Sequence, residues 1–415
     1  MLDRLAIFGA EPAFSETLHV GRPVVGDRKR LMERIEGALD RLWLTNFGPL
    51  NSEFERRIEN LLGVKHCVSM SNGTVALEIA ARALGLTGEV IVPSFTFIAT
   101  AHALQWQEIT PVFCDIDPKT HNLDPNRVED MITPRTTGIV GVHVWGRTCD
   151  AEALSQIARR RGLRLMFDAA HAFACSHKGE MVGGLGDVEV FSFHATKFMS
   201  TFEGGAVVTN DTDLALKIQL MSNFGFVGHE RVDYVGTNGK LNEIAAAMGL
   251  TSLDSLDEII DHNRLNYLAY RDALAGIPGL RLAEYEDNER RNYQYIVVEV
   301  DEDAAGLSRD HLVNVLHWEN VRARRYFYPG CHQMEPYRSL YPHAGLLLPH
   351  TEALARKVMV LPTGTAVSPA VAKQICEILR LTTAQPGAVR DQLARVGPAP
   401  DRKADGTYAI PPVTA

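Results

Sequence analysis

The chain has 415 residues, of which 46% are hydrophobic and 22% charged, so it can form a large buried core and is neither disordered nor collagen-like. Its 42 basic and 51 acidic residues give a formal charge of −9, which argues against a nucleic-acid partner, because such proteins need a basic surface for the phosphates. No apolar run is long enough to span a membrane and the first residues lack the layout of a signal peptide, so we expect a cytoplasmic protein without a membrane partner.

Short apolar runs that end in turn or polar residues predict strands over residues 66–70, 89–93, 137–142, 163–167 and 188–193. Between them, helical spacing of apolar residues predicts helices over residues 74–84, 97–106 and 151–161. This alternation predicts an α/β fold with a mostly parallel central sheet flanked by helices.

The sheet-forming part ends near residue 249 and a long amphipathic helix is predicted over residues 253–274, so we expect a large domain of residues 1–255. Strands over 293–300 and 321–325 and helices over 309–317 and 351–358 predict a smaller α+β domain of residues 256–384. From residue 385, Pro, Gly, Ala and Arg dominate, so residues 385–415 are predicted to form a mobile tail.

The six cysteines are scattered and form no Cys-x-x-Cys pair. This pattern predicts neither a zinc site nor a disulfide framework. We therefore expect small buried side chains and no metal.

Ligands of open parallel sheets bind beyond the carboxyl ends of the strands, and the first unusual strand end here is Ser-Met-Ser-Asn-Gly-Thr over residues 69–74. Glycine lets the backbone approach a ligand, and free amides at the start of the following helix, with a threonine hydroxyl, form a phosphate cradle. An ordinary helix cap has the same composition. Both interpretations of Gly73 and Thr74 stay open at this point.

Asp168 follows directly after the buried run that ends at Phe167. A buried carboxylate needs a cation or a strong donor. A protonated pyridine nitrogen is such a partner, since an acid there holds the ring as an electron sink. The alternative is an aspartate that caps a following helix.

Lys197 ends the segment Ser-Phe-His-Ala-Thr-Lys, on a turn between two apolar strands. Desolvation at a sheet end lowers the pKa of a lysine toward that of a nucleophilic amine. Ser192, five residues earlier, can reach the same phosphate. A single lysine is usually a surface charge. The segment of residues 69–74 and Asp168, which lie at the ends of predicted strands, favour a nucleophilic role for Lys197 instead.

Phe95 and Phe97 follow another predicted strand. Aromatic rings in that place can cover one face of a planar ligand. Core packing is the alternative, and it is the preferred interpretation for Phe95.

Taken together, six segments resemble the DegT/DnrJ/EryC1/StrS family of nucleotide-sugar aminotransferases, in order and spacing, from about residue 8 to about residue 381. They are SNGTVALEIA, PSFTFIATAHAL, FDAAHAFAC, SFHATK, EGGAVVTND and TNGKLNEIAAAMGL. The resemblance implies an enzyme dependent on pyridoxal 5'-phosphate (PLP) with the aspartate aminotransferase type I fold. It also implies a homodimer with shared active sites.

Carried over by position, the resemblance makes Lys197 the Schiff-base lysine and Asp168 the partner of the pyridine nitrogen. It makes His171 the neighbour of the 3'-oxygen, where many members have glutamine, and Phe97 the aromatic residue that stacks on the ring. Some proteins of this fold are dehydratases with histidine at the lysine position, so the lysine favours transamination.

The family's phosphate ligands correspond to Gly73, Thr74 and Ser192. Asn238 matches the asparagine that reaches the phosphate in the neighbouring subunit. The active site would then lie between two chains.

Four further segments, WLTNFGP, VHVWGR, NFGF and RRYFYPGCH, resemble the branch that includes the 4-aminotransferase of the desosamine pathway. This implies conversion of dTDP-4-keto-6-deoxy-D-glucose to dTDP-4-amino-4,6-dideoxy-D-glucose with L-glutamate as amino donor. Members of this branch commonly serve antibiotic or cell-surface sugar pathways. A sugar 3-aminotransferase, or one acting on another nucleotide-linked ketosugar, is the alternative.

The diphosphate of such a substrate needs donors, and Arg322, Arg324 and Arg325 beside three aromatic residues form the densest basic cluster. For any single arginine, a solvent-facing or core-facing strand position is the alternative. Weaker candidates, none assigned a catalytic role, are His143, Trp145, Asn46 and His332.

The residues argue against two rival functions. A nicotinamide-dependent sugar oxidoreductase needs a glycine fingerprint between an early strand and helix, and Gly183-Gly184-Leu185-Gly186 has neither the spacing nor the place. A regulatory protein that keeps the fold without the chemistry would lack the lysine, the aspartate or the phosphate cradle, and none is missing.

Overall fold

A computed structural model describes residues 2–286 and 288–399. The strands are β1 (Leu18–His19), β2 (His66–Met70), β3 (Glu89–Pro93), β4 (Thr110–Cys114), β5 (Thr136–Val142), β6 (Arg164–Asp168), β7 (Ser176–His177), β8 (Glu180–Met181), β9 (Val188–Ser192), β10 (Gly205–Thr209), β11 (Leu280–Leu282), β12 (Ile296–Val300), β13 (Val321–Arg322) and β14 (Val358–Leu361). The α-helices are α1 (Arg28–Arg41), α2 (Pro49–Leu62), α3 (Gly73–Ala83), α4 (Ile98–Gln105), α5 (Pro125–Val128), α6 (Ala151–Arg161), α7 (Thr212–Ser222), α8 (Glu243–Asp254), α9 (Leu256–Leu274), α10 (Glu302–Ala305), α11 (Arg309–Trp318), α12 (Tyr337–Leu340), α13 (Pro349–Lys357), α14 (Pro369–Ala384) and α15 (Pro386–Val396).

The central sheet has seven strands in the order β2-β10-β9-β6-β5-β3-β4. Only β10 runs antiparallel to its neighbours, and the other pairings are parallel. Alternate residues of one strand face opposite layers: Val90 packs with α3 and α4, whereas Ile91 packs with α6. The predicted α/β architecture with a mostly parallel sheet covered by helices is confirmed.

A second sheet, β11-β12-β14, is antiparallel and shares a core with α9, α11 and α14. The start of the chain belongs to this core, since Leu5 and Ile7 are buried in it. The amides of Ala6 and Ala13 donate to the Glu319 carboxylate, both at 2.7 Å, and β1 pairs with β13. The prediction that put the N-terminal residues in the large domain is therefore wrong for this segment, whose partners are distant in sequence.

The helix predicted over residues 253–274 is two helices. Ser255, with φ −103° and ψ 10°, ends α8, and α9 starts at the next residue. Leu253 and Leu256 are both buried on the sheet side, so apolar spacing continues across the break. Periodicity alone does not reveal such an interruption.

The predicted tail from residue 385 is wrong for residues 386–396, which form α15. Val389 and Leu393 are four residues apart, lie on one helix face and are buried in the core of the smaller sheet. Residues 400–415 lie outside the described part of the chain. All six cysteines are buried, as expected.

Within residues 2–286 and 288–399, no helix has the length and apolar character needed to cross a membrane.

Candidate active site

A cavity of about 700 Å³ lies beyond the carboxyl ends of β6 and β9, at the start of α3. Seven of the eight residues assigned by the family resemblance line it, and they are Gly73, Thr74, Phe97, Asp168, His171, Ser192 and Lys197. Asn238 does not line it. Its side chain is exposed and accepts a hydrogen bond from Lys240 Nζ at 3.0 Å.

Lys197 occupies the connection between β9 and β10, where its amide donates to the His194 carbonyl at 2.8 Å. The amine points into the cavity, and Nζ donates to the Tyr295 hydroxyl at 3.3 Å. Burial lowers the pKa of Lys197 to about 8, although the Asp168 carboxylate opposes the shift. A substantial fraction of this amine is therefore neutral near pH 8.

Asp168 ends β6 and is 6% exposed. Its carboxylate accepts from Thr100 Oγ1 at 2.8 Å and from the Ala170 amide at 3.1 Å. Turns follow Asp168, so the alternative of a helix cap is wrong. Burial raises the pKa of this carboxyl, while the Thr100 hydroxyl and the Lys197 charge oppose the shift. A cationic ligand at the carboxylate would stabilise its ionised form.

His171 is buried on the turn after β6, and its Nδ1 accepts from the Trp145 amide at 3.3 Å. Its ring is nearly parallel to those of Trp145 and Phe327, at centroid distances of 5.9 and 5.8 Å. Burial, together with the Lys197 charge, holds the pKa of His171 well below its usual value. The ring is therefore neutral, and because Nδ1 is an acceptor, Nε2 carries the proton and can donate to a ligand.

The start of α3 approaches the end of β9 closely. A Cβ on Gly73 would lie 3.0 Å from the Cβ of Ser192, and one on Gly205 would lie 2.8 Å from the backbone of Asn72. Asn72 caps the helix, since its Oδ1 accepts from the Val75 amide at 2.9 Å. The helix cap is therefore present. The Gly73 and Thr74 amides precede the capped one and have no acceptor within the helix, so they stay available to an anion.

These groups match the chemistry of PLP. The cavity has an amine for its aldehyde and a buried carboxylate for its ring nitrogen. The amides of the first turn of α3 and the hydroxyls of Thr74 and Ser192 line the same cavity and can donate to the phosphate of PLP. Phe97 is 58% exposed although it is a large aromatic residue, and it lines the same cavity. An exposed ring in a concave site is typical of a ligand surface.

Of the three predicted arginines, only Arg324 lines the cavity, where its guanidinium lies 5.7 Å from the Tyr326 ring. Arg325 pairs with Asp310 at 3.2 Å, and Arg322 lies on β13 opposite His19. Within the described residues, no carboxylate forms an ion pair with Arg324.

The weaker candidates do not line the cavity. His143 is buried, stacks on Phe167 at 4.5 Å and accepts from the Cys149 amide. His332 is buried between the Ser94 hydroxyl and the Glu352 carboxylate. The Trp145 ring contacts that of His171 outside the cavity lining, and Asn46 lies in an exposed loop.

Two residues of the site, Thr100 and Tyr295, carried no signal in the sequence, and Tyr326 was noted only as one of the three aromatic residues beside the arginine cluster. Thr100 lies on the first turn of α4, Tyr295 precedes β12, and Tyr326 follows β13. Each is far in sequence from Asp168 and Lys197, and only the packing of the smaller sheet against the large one brings Tyr295 to the amine. Thr96 precedes α4, and its hydroxyl lies 2.9 Å from that of Thr100, a contact that helical spacing does not indicate.

The family model of the DegT/DnrJ/EryC1/StrS aminotransferases matches residues 26–380. A dTDP-4-amino-4,6-dideoxy-D-glucose transaminase of Shigella dysenteriae is 38% identical over 337 residues, which cover 81% of this chain and 91% of that protein. A GDP-perosamine synthase of Caulobacter vibrioides is 36% identical, covering 73% of this chain and 82% of that protein. The solved structure of DesI, determined in the presence of its TDP-sugar product, has 52% identity and a TM-score of 0.90, covering 95% of this chain and 99% of that chain.

Proposed function

Since the chain belongs to the DegT/DnrJ/EryC1/StrS aminotransferase family of PLP-dependent sugar aminotransferases, we propose that it converts dTDP-4-keto-6-deoxy-D-glucose to dTDP-4-amino-4,6-dideoxy-D-glucose with L-glutamate as donor. The observation that carries the proposal is a cavity that contains the Lys197 amine, the Asp168 carboxylate, the start of α3 and the Arg324 guanidinium. No carboxylate of the described residues forms an ion pair with this guanidinium. The identities of 38% with the Shigella transaminase and 52% with DesI support this substrate.

Lys197 is proposed as the residue that bonds the cofactor and, once released, moves the substrate proton. Its pKa of about 8 suits this task, because a base needs a neutral fraction near the working pH. Bound PLP supplies an electron sink for the electrons left when the substrate C–H bond breaks. Asp168 would keep the ring nitrogen protonated, with Thr100 holding the carboxylate in place at 2.8 Å.

The remaining assignments concern binding. Neutral His171 would donate its Nε2 proton to the 3'-oxygen, and Phe97 would cover one face of the ring. Gly73, Thr74 and Ser192 would bind the phosphate through amides and hydroxyls, which suit an anion at a helix N-terminus.

Arg324 is proposed to bind the diphosphate of the sugar nucleotide. The chain carries a net charge of −9, so a dianionic substrate needs a local cation. Arg324 lines the cavity, whereas Arg325 is paired with Asp310. A guanidinium binds phosphate oxygens in a bidentate way that fits this role.

A homodimer with shared active sites is also proposed. Large apolar side chains are exposed on two segments, Leu42, Trp43 and Leu44 on one and Phe224 and Val235 on the other. The segments are linked, since the Glu243 amide just beyond the second donates to the Leu44 carbonyl at 2.9 Å. Such a patch favours a protein interface. Asn238 follows the second segment by three residues and is exposed, as a residue that reaches a neighbouring subunit must be.

The test is a reaction of the purified protein with PLP, L-glutamate and dTDP-4-keto-6-deoxy-D-glucose, with the product identified by mass spectrometry and NMR. An amine at C4 that is absent with Lys197→Ala supports the reaction and the lysine. Parallel reactions with the GDP-linked 4-ketosugar and with a dTDP-linked 3-ketosugar distinguish the nucleotide and the position. An amine formed in either of these alone would refute the proposed substrate.

A further inference from the structure

The Tyr295 hydroxyl lies 3.3 Å from Lys197 Nζ and, within the described residues, is the only hydrogen-bond partner of that amine. The ring centroid of Tyr295 is 5.8 Å from the same nitrogen. The contact joins two layers of the molecule, because Lys197 follows a strand of the large sheet and Tyr295 precedes β12 of the smaller one.

Packing holds Tyr295 firmly. The side chain is 8% exposed, and its ring contacts His171 and Trp145 at centroid distances of 4.5 and 5.4 Å. The backbone carbonyl of Tyr295 accepts from the Tyr285 hydroxyl at 3.3 Å. Burial raises the pKa of Tyr295 further above its usual value, so the phenol stays neutral throughout the working range of an enzyme.

A lysine that serves as a mobile base must present its lone pair in one direction while its long side chain is free to rotate. When the amine donates one N–H to a fixed acceptor, the lone pair stays available and the number of accessible orientations falls. Restricting a reacting group in this way raises the rate of proton transfer.

We propose that Tyr295 is a positioning residue that orients the free amine of Lys197 for proton transfer. The role rests on the proposed aminotransferase function. Tyr295 acts through the lysine and touches neither reacting carbon.

The first measurement needs neither substrate nor cofactor. The full-length chain is freed of cofactor and labelled with acetic anhydride at a series of pH values, and peptide mass spectrometry gives the pH midpoint for labelling of Lys197. The phenol oxygen accepts from the ammonium form as well as from the amine, so its loss favours the uncharged form. In Tyr295→Phe the midpoint should fall by about one pH unit.

Tyr270→Phe is the matched control. It removes a buried tyrosine hydroxyl that donates to the Pro362 carbonyl at 2.9 Å and, within the described residues, has no hydrogen bond to Tyr295 or Lys197. Its labelling midpoint should equal that of the wild type even where its thermal stability falls. An equal shift in both variants, or none in Tyr295→Phe, would overturn the proposal.

The second measurement is steady-state kinetics with the holoenzyme. Tyr295→Phe should lower kcat about tenfold and leave KM for both substrates within about twofold, because the lost contact orients a base and binds no substrate. An unchanged kcat would overturn the positioning role. If the wild type makes no amino sugar, the proposed substrate fails, and the labelling midpoint still decides the Tyr295–Lys197 contact.

Should Tyr295→Phe not fold, 3-fluorotyrosine placed at position 295 alone retains the shape of the ring and weakens the oxygen as an acceptor. The pH midpoint for labelling of Lys197 should then fall, but by less than the shift expected in Tyr295→Phe. A midpoint equal to that of the wild type would refute the inference.

Discussion

Thr100→Val tests how the buried carboxylate of Asp168 is maintained. The hydroxyl of Thr100 donates to Asp168 Oδ2 at 2.8 Å, and the other protein donor to this carboxylate is the Ala170 amide at 3.1 Å. Valine has nearly the same shape, so the substitution removes a hydrogen bond and leaves little cavity. The carboxylate then keeps one of these two donors while it remains buried.

A hydrogen bond to a charged group contributes about 1.5–3 kcal/mol. Its loss should raise the pKa of Asp168 further and weaken the interaction that we propose between the ionised carboxylate and the ring nitrogen of PLP. We expect the Kd for PLP to rise about 10-fold to 100-fold, measured by absorbance titration of the cofactor-free protein.

Thr382→Val is the control. Its hydroxyl is equally buried and donates to the Ile378 carbonyl within α14, remote from the cavity. PLP affinity should be unchanged in this variant. The reasoning is refuted if Thr100→Val binds PLP as tightly as the wild type, or if both variants lose affinity equally.

Three further perturbations test other parts of the molecule. Arg324→Ala should raise KM for the sugar nucleotide about 10-fold to 100-fold with little change in KM for L-glutamate. Arg325→Ala, which loses an exposed pair with Asp310 and a ring contact with Tyr328, should leave both KM values unchanged. Equal effects of the two substitutions would contradict the assignment. Gly205→Ala should lower the free energy of unfolding by about 1–3 kcal/mol and weaken PLP binding, because the new Cβ would lie 2.8 Å from the Asn72 backbone. Urea unfolding measures this change, and a free energy equal to that of the wild type would disprove the prediction. Burial raises the pKa of Glu55 from 4.5 to about 7, so its stabilising contribution is full below about pH 4.5 and is lost as pH rises through 7. Between pH 5 and pH 8, the free energy of unfolding should therefore fall less in Glu55→Gln than in the wild type, with a difference of about 3 kcal/mol at most. Parallel pH profiles of the two proteins in urea unfolding would rule this out.

The strand ends were predictable because local patterns report them. Apolar runs of five or six residues followed by Gly73, Asp168 or Lys197 mark the points where strands of one sheet end. Parallel strands place their carboxyl ends at one edge, so these side chains had to converge on one cavity. Their roles in binding and catalysis stay proposals.

The boundaries that were predicted wrongly are those that local apolar spacing does not mark. Apolar periodicity continues from α8 into α9 although Ser255 interrupts the helix, and Val389 and Leu393 provide too few apolar positions to reveal α15. Leu5 and Ile7 look like part of the first domain until the smaller sheet buries them. For the N-terminal segment and for α15, burial by a remote segment decides the outcome.

The sequence by itself determined the fold class, the family and the residues displayed at the strand ends, because short-range spacing and motif order carry that information. Only the tertiary structure decided which arginine faces the cavity, which hydroxyl holds Asp168 and which phenol meets Lys197. Arg324 and Arg325 are neighbours with the same chemistry, yet one lines the site and the other pairs with Asp310. Thr100 and Tyr295 meet their partners across 68 and 98 residues. Such contacts follow from the packing of helices and of the second sheet against the first, a long-range property that no local pattern contains.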